Sequence, residues 1–136
     1  MADSEAGSAR EASLVKVLED LRSLSGEVEA GYVVSGEGRL LASTVEGAPE
    51  VDRERVGAMI SALSGLSERR ARERGHERAE QARVRTPEGY VLLSRLSGGS
   101  ALAATTGPEA RVGLVLYDMR NARAEAERAL SEGSQS

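Results

Sequence analysis

The chain has 136 residues, 18 Lys+Arg against 22 Asp+Glu (net charge −4), 40% AVILMFWYC and 29% charged residues, so it reads as one globular domain outside the regime of disorder. With no Cys, Trp or Phe and only one His, disulfides, thiolate nucleophiles, Cys-ligated zinc and multi-His metal sites are excluded, and any His-based triad would rest on His76 alone. Tyr32, Tyr90 and Tyr117 are the only aromatics on an acidic chain, which argues against nucleic acid as a partner. The core must be built from Leu, Val, Ile, Met and Ala. No apolar run approaches the ~20 residues that span a bilayer, and the first ten residues are acidic and small rather than basic and apolar, so the expected location is cytoplasmic, without membrane insertion.

In chain order, residues 1–9 and 131–136 are small and polar and are expected to be disordered tails around a domain at 10–130. Leu14, Val17, Leu18, Leu21 and Leu24 recur at three- and four-residue intervals, predicting an amphipathic helix from about residue 10 to 25, closed by Gly26, with Ser13 in its early turns. Two β-prone runs, 28–35 and 39–44, flank Gly36-Glu37-Gly38 and predict an antiparallel hairpin. Pro49 with Glu50, Asp52 and Glu54 then opens a helix expected over 51–74 that stops at Gly75.

That second helix carries two apolar stripes. Val56, Ile60 and Leu63 form one; Met59, Ala62 and Leu66 form the other, leading into Arg69, Arg70 and Glu73. One stripe suffices for a helix lying on its own sheet. The second, with small Gly57, Ala58, Ser61 and Gly65 beside it, fits either a contact with another helix or a single broad core face.

Residues 81–85 alternate Gln81, Arg83 and Arg85 with Ala82 and Val84, a thin apolar face of the kind found on a charge-guarded sheet edge. A Thr86-Pro87-Glu88-Gly89 turn leads to a strong strand at 90–96. Ser97-Gly98-Gly99-Ser100 then leads to a strand of small residues at 101–106, so these three strands should be antiparallel neighbours. Gly107-Pro108-Glu109 precedes a last helix that uses Val112, Val115 or Leu116, Met119, Ala122, Ala126 and Leu130 and ends near 130–132. The order is αββαβββα: an α+β fold with one five-stranded antiparallel sheet and three helices.

Catalytic signatures are absent. There is no GxxxxGK[ST] loop, and GxGxxG starting at Gly36 fails because position 41 is Leu. His76 falls in a polar connection, and carboxylates such as Asp52 and Glu54, or Asp118 and Glu125, sit among arginines that would pair with them on a surface. The expectation is therefore no enzyme, no cofactor and no metal. Charge is polarised along the chain: residues 1–29 hold seven acids and three bases, and 68–85 hold seven arginines (69, 70, 72, 74, 78, 83, 85) and four acids. The arginine-rich segment reads as a solvated face or as an interface for an acidic partner.

Three segments in order resemble the roadblock/dynein light-chain family: Gly31-Tyr32-Val33-Val34-Ser35-Gly36-Glu37-Gly38-Arg39-Leu40-Leu41-Ala42-Ser43; Gly89-Tyr90-Val91-Leu92-Leu93 with Leu96 and its Gly-Gly turn; and Gly107-Pro108-Glu109-Ala110-Arg111-Val112-Gly113-Leu114-Val115. The resemblance spans roughly residues 14–130. It implies a profilin-like αββαβββα architecture and a homodimer in which the second helix and third strand of two protomers meet in one continuous sheet. On this chain that interface falls on Met59, Ala62, Leu63, Leu66, Gln81, Arg83 and Arg85. Bacterial members look like regulators of small Ras-like GTPases, so the resemblance implies a non-enzymatic module that binds such a GTPase through its paired second helices. Arg69, Arg70 and Glu73 are then the partner contacts. It would act, if it stimulates hydrolysis, by repositioning the GTPase's own groups rather than by an arginine finger. The other role that the resemblance allows is a scaffold or adaptor subunit that binds larger assemblies irrespective of nucleotide. Ala101, Ala103 and Ala104, where bulkier aliphatics are usual, and the basic end of the second helix depart from the family pattern.

Overall fold

A computed structural model describes residues 2–76 and 79–132, with residues 2–6 as backbone only. It contains α1 (Ala2–Leu24), β1 (Val28–Val34), β2 (Leu40–Ser43), α2 (Glu50–Glu73), β3 (Gln81–Thr86), β4 (Gly89–Arg95), β5 (Ala101–Thr106) and α3 (Val112–Ser131), with one 3-10 turn at Ser97–Gly99. The αββαβββα order and the five-stranded antiparallel sheet are as expected. The strands lie in the order β2-β1-β5-β4-β3, so β5 is inserted between β1 and β4 and the edges are β2 and β3.

Helices cover both faces of the sheet, so the central strands are apolar on both sides and read as near-continuous hydrophobic runs. On one face, Leu14, Leu18 and Leu21 of α1 and Val115 and Met119 of α3 pack with Val33, Leu92 and Leu102. On the other, Ile60 of α2 packs with Val34, Val91, Leu93, Ala101 and Ala103. The alternation along β4 is explicit: Tyr90 and Leu92 join the first cluster, Val91 and Leu93 the second.

One helix boundary differs from expectation. Helix α1 begins at Ala2 rather than near residue 10, so the stretch expected to be an N-terminal tail is helical from residue 2. Once the buried turns at Leu14 to Leu21 nucleate the helix, each added residue closes one more backbone bond, and the alanines at 9 and 12 and Glu11 favour propagation. At the other end α3 closes at Ser131, within the expected 130–132, and residues 133–136 of the expected C-terminal tail lie outside the described residues.

Gly57 corrects another expectation. The spacing groups it with residues that admit a neighbouring helix, yet it is buried against this chain's own hairpin: a Cβ there would stand 2.4 Å from the Gly38 carbonyl oxygen. Ser61 borders the same turn, with its Cβ 3.5 Å from where a Gly38 side chain would begin. These two small residues therefore set how closely α2 approaches the β1–β2 turn. Ala58 and Gly65 are the members of the group that do not pack against the hairpin.

Candidate interaction surface

Helix α2 lies across β2, β1 and β5 and leaves the β3 margin of its face open. Its two stripes part as the three- and four-residue spacing dictates. Val56, Ile60 and Leu63 turn inward to the sheet, whereas Met59 and Leu66 are 46% and 55% exposed and Ala62 lies between them in solvent. The second stripe is thus a separate outward face and not part of a single broad core face.

Between α2 and β3 runs a groove of about 550 Å³, walled by Leu63, Leu66 and Ala71 on the helix and by Ala82 and Val84 on the strand. Arg70 and Arg74 of the helix and the Arg83 position of the strand complete its lining. Strand β3 pairs with β4 from Gln81↔Ser94 to Thr86↔Gly89, and its other side faces no strand. An apolar channel and a free strand edge therefore lie side by side, the first with surface that burial would cover and the second with backbone groups that another strand could pair.

The expected site residues are distributed across this region. Met59, Ala62, Leu63 and Leu66 line the outward face and groove of α2. Arg83 and Arg85 are exposed on β3. Gln81 is on the edge by its backbone, but its side chain turns to α3, with Nε2 donating to the Leu116 carbonyl at 2.7 Å and Oε1 accepting from Arg120 at 3.3 Å. Arg69, Arg70 and Glu73 are near the C-terminal end of α2, where Arg70 and Glu73 approach to 3.7 Å as an exposed i,i+3 pair. The structure brings the apolar residues expected at an interface onto one surface and puts the polar trio at its end.

One residue of this surface was missed by sequence reasoning. Glu68 faces inward from α2, forms an ion pair and hydrogen bond with Arg95 at the end of β4, and accepts the Ala79 backbone N–H at 3.2 Å. It ties the basic end of α2 to the segment that delivers β3. The available signal was its position eight residues beyond Ile60 on the inward stripe, where a carboxylate needs a buried partner.

Nothing in the groove resembles an acid–base constellation. His76 is exposed just after α2, and its backbone N–H donates to the Ala71 carbonyl at 2.9 Å. The resolved perturbations lie elsewhere: backbone and side-chain hydrogen bonds from Arg111 hold the Glu27 carboxyl below its ordinary value, burial pushes the Tyr32 phenol up, and the hydrogen bond to Asp20 raises Lys16. Among the described residues no group of three or more His, Asp or Glu is placed to hold a metal ion, and no helix is long and apolar enough to cross a membrane.

The Roadblock/LC7 domain model matches residues 14–106, from the buried part of α1 to the end of β5. The chain belongs to this family. This roadblock domain is 34% identical over 107 residues to the uncharacterized protein MJ0310 of Methanocaldococcus jannaschii, covering 79% of this chain and 90% of that one. In fold it is similar to MglB of Myxococcus xanthus, with a TM-score of 0.75, 12% identity and 92% of each chain covered. It is also similar to the gliding protein MglB of Thermus thermophilus, with a TM-score of 0.76, 17% identity and coverage of 91% of this chain and 93% of that one. Covering 91–92% of the chain, the structural matches extend the likeness into α3, beyond the residues that the family model matches.

Proposed function

We propose that this roadblock domain is a non-enzymatic homodimeric module that binds a small Ras-like GTPase and modulates its nucleotide cycle or its localisation in the cytoplasm. The observation that carries the proposal is the open groove between α2 and β3, flanked by a free strand edge and an outward apolar stripe. A second copy related by a two-fold axis perpendicular to the sheet satisfies all three features at once. Its β3 pairs antiparallel with this one, its α2 lies against Met59, Ala62 and Leu66, and the two grooves close on each other.

In that dimer the two α2 helices form one platform with Arg69, Arg70 and Glu73 at its ends. Guanidinium and carboxylate groups there suit the mixed polar surface of a GTPase switch region, and the family resemblance favours that partner. The module would act by holding the switch elements so that the GTPase's own groups are aligned, since it contributes no catalytic constellation of its own.

The test mixes purified protein with candidate Ras-like GTPases loaded with GTP or GDP and measures binding, hydrolysis and exchange. State-dependent binding or a changed rate supports the proposal. Equal binding to both states with unchanged rates identifies an adaptor instead, and no binding at all overturns the GTPase reading.

A further inference from the structure

Arg83 and Arg85 lie on the opposite face of β3 from Ala82 and Val84, which wall the groove. Their cross-strand partners are Leu92 and Tyr90, which belong to the cluster under α1 and α3. Directly opposed residues of an antiparallel pair point to the same face, so both side chains leave the strand on the α3 side. Gln81, two residues earlier on that face, is already fastened to α3, and Arg120 of α3 spends its hydrogen bond on the Gln81 amide rather than on a carboxylate. None of Arg83, Arg85 and Arg120 has an acidic partner among the described residues, in contrast to Arg95 with Glu68, Arg111 with Glu27 and Arg123 with Glu80.

Dimerisation through β3 intensifies this imbalance. A two-fold axis perpendicular to the sheet keeps each face on its own side, so Arg83 and Arg85 of both copies gather along one seam. The registers that keep same-face residues opposed set Arg83 against Arg83, Arg85 or Gln81 of the partner copy, and like charges directly opposed are unfavourable. Beside the seam Tyr117, three residues before Arg120 and so on the same flank of α3, is 58% exposed, and Leu114 one turn earlier is 54% exposed. The seam is thus a narrow strip of unpaired arginines bordered by apolar side chains.

We infer that this seam, on the α3 side of the dimer, docks an acidic polypeptide segment that also carries an apolar residue; the inference rests on the homodimer reading above. Carboxylates of the segment neutralise the arginines, to which their planar geometry is matched, and its apolar residue covers Tyr117 and Leu114. Charge complementarity selects the occupant. The basic strip is one strand pair wide on a chain of net charge −4, which fits a single extended or helical segment better than the broad phosphate surface of a duplex or an anionic bilayer. Because the site is completed only by two copies, its occupant binds the dimer more tightly than the monomer and so stabilises the dimer.

The experiment uses the full chain and a short fluorescein-labelled peptide alternating glutamates with leucines, read by fluorescence anisotropy, with duplex DNA and phosphatidylserine vesicles as parallel probes and light scattering to read the assembly state. The expected result is a dimer that binds the peptide in a salt-sensitive manner, with an affinity about tenfold lower in Arg83→Ser/Arg85→Ser. Arg55→Ser/Arg72→Ser, which removes the same charge from exposed positions on α2, should bind as the parent does. A dimer whose peptide binding is unchanged by the β3 substitutions, or which prefers DNA or vesicles through those arginines, overturns this inference and leaves the homodimer standing. A monomer at every concentration overturns the homodimer and this inference with it.

Discussion

Glu68 and Arg95 join α2 to the far end of β4, and the Glu68 oxygen that meets Arg95 also accepts the Ala79 backbone N–H at 3.2 Å. The carboxylate and guanidinium are 17% and 26% exposed, so removing either leaves a largely desolvated charge without its partner. Glu68→Ala is expected to lower the unfolding free energy by about 1–3 kcal/mol, seen in urea as a reduced midpoint with an unchanged slope. Since Ala79 lies just ahead of β3, the substitution should also raise amide exchange along that strand. Unchanged exchange there would show that Glu68 does not position the edge strand.

Leu66 is more than half exposed in the single chain, so Leu66→Asp should alter the stability of an isolated protomer by less than about 0.5 kcal/mol. In a dimer built on the α2–β3 groove it places a charge in the seam between two helices. Light scattering over a concentration series is expected to find the parent chain as a dimer and this variant as a monomer, with circular dichroism unchanged. A variant that remains dimeric would move the interface away from α2.

Gly57 offers a test of the internal packing of α2 rather than its outer face. Helix propensity alone would make Gly57→Ala favourable by about 1 kcal/mol. The added Cβ would stand 2.4 Å from the Gly38 carbonyl oxygen, against backbone rather than a flexible side chain, so the helix must move off the hairpin turn. The expected net effect is a destabilisation of about 1–3 kcal/mol, measured as a lower Tm. A stabilised variant would mean that the contact relaxes freely.

The pH dependence of stability should include a contribution from Glu27. Its folded-state pKa is depressed by hydrogen bonds from the Arg111 backbone N–H at 2.8 Å and guanidinium Nε at 3.1 Å. A depressed carboxyl contributes stability that is fully present above its unfolded value and is lost as the pH falls through the folded value. The difference in Tm between the parent and Glu27→Gln is therefore expected to be constant near neutrality and to shrink on acidification through the carboxylate range. A difference that grows in acid would contradict the assignment.

The parts of this molecule legible in its sequence are those set by local periodicity. Val56, Ile60 and Leu63 against Met59, Ala62 and Leu66 is a pattern that a helix converts directly into inner and outer faces, and the alternation of Arg83 and Arg85 with Ala82 and Val84 marks an edge. The insertion of β5 between β1 and β4 was not legible, because Tyr32↔Ala103 and Leu93↔Ala103 are pairings between strands whose order no short window contains. Gly57 could be seen to need a close neighbour, but not that the neighbour is Gly38 of the same chain. The Gln81 side chain likewise reads as part of a strand face, and only the packing of α3 shows that the Leu116 carbonyl takes it.

The two margins of the sheet are unequal. Strand β2 offers four residues, Leu40–Ser43, and meets β1 with a register shift at Val33/Val34, while β3 offers six, Gln81–Thr86, in unbroken register with β4. Joining two long margins consumes them and leaves only the short, irregular ones at the outside. In the proposed dimer, growth of the sheet would therefore terminate at a pair, and the open strand edge would serve assembly without propagating into a fibre.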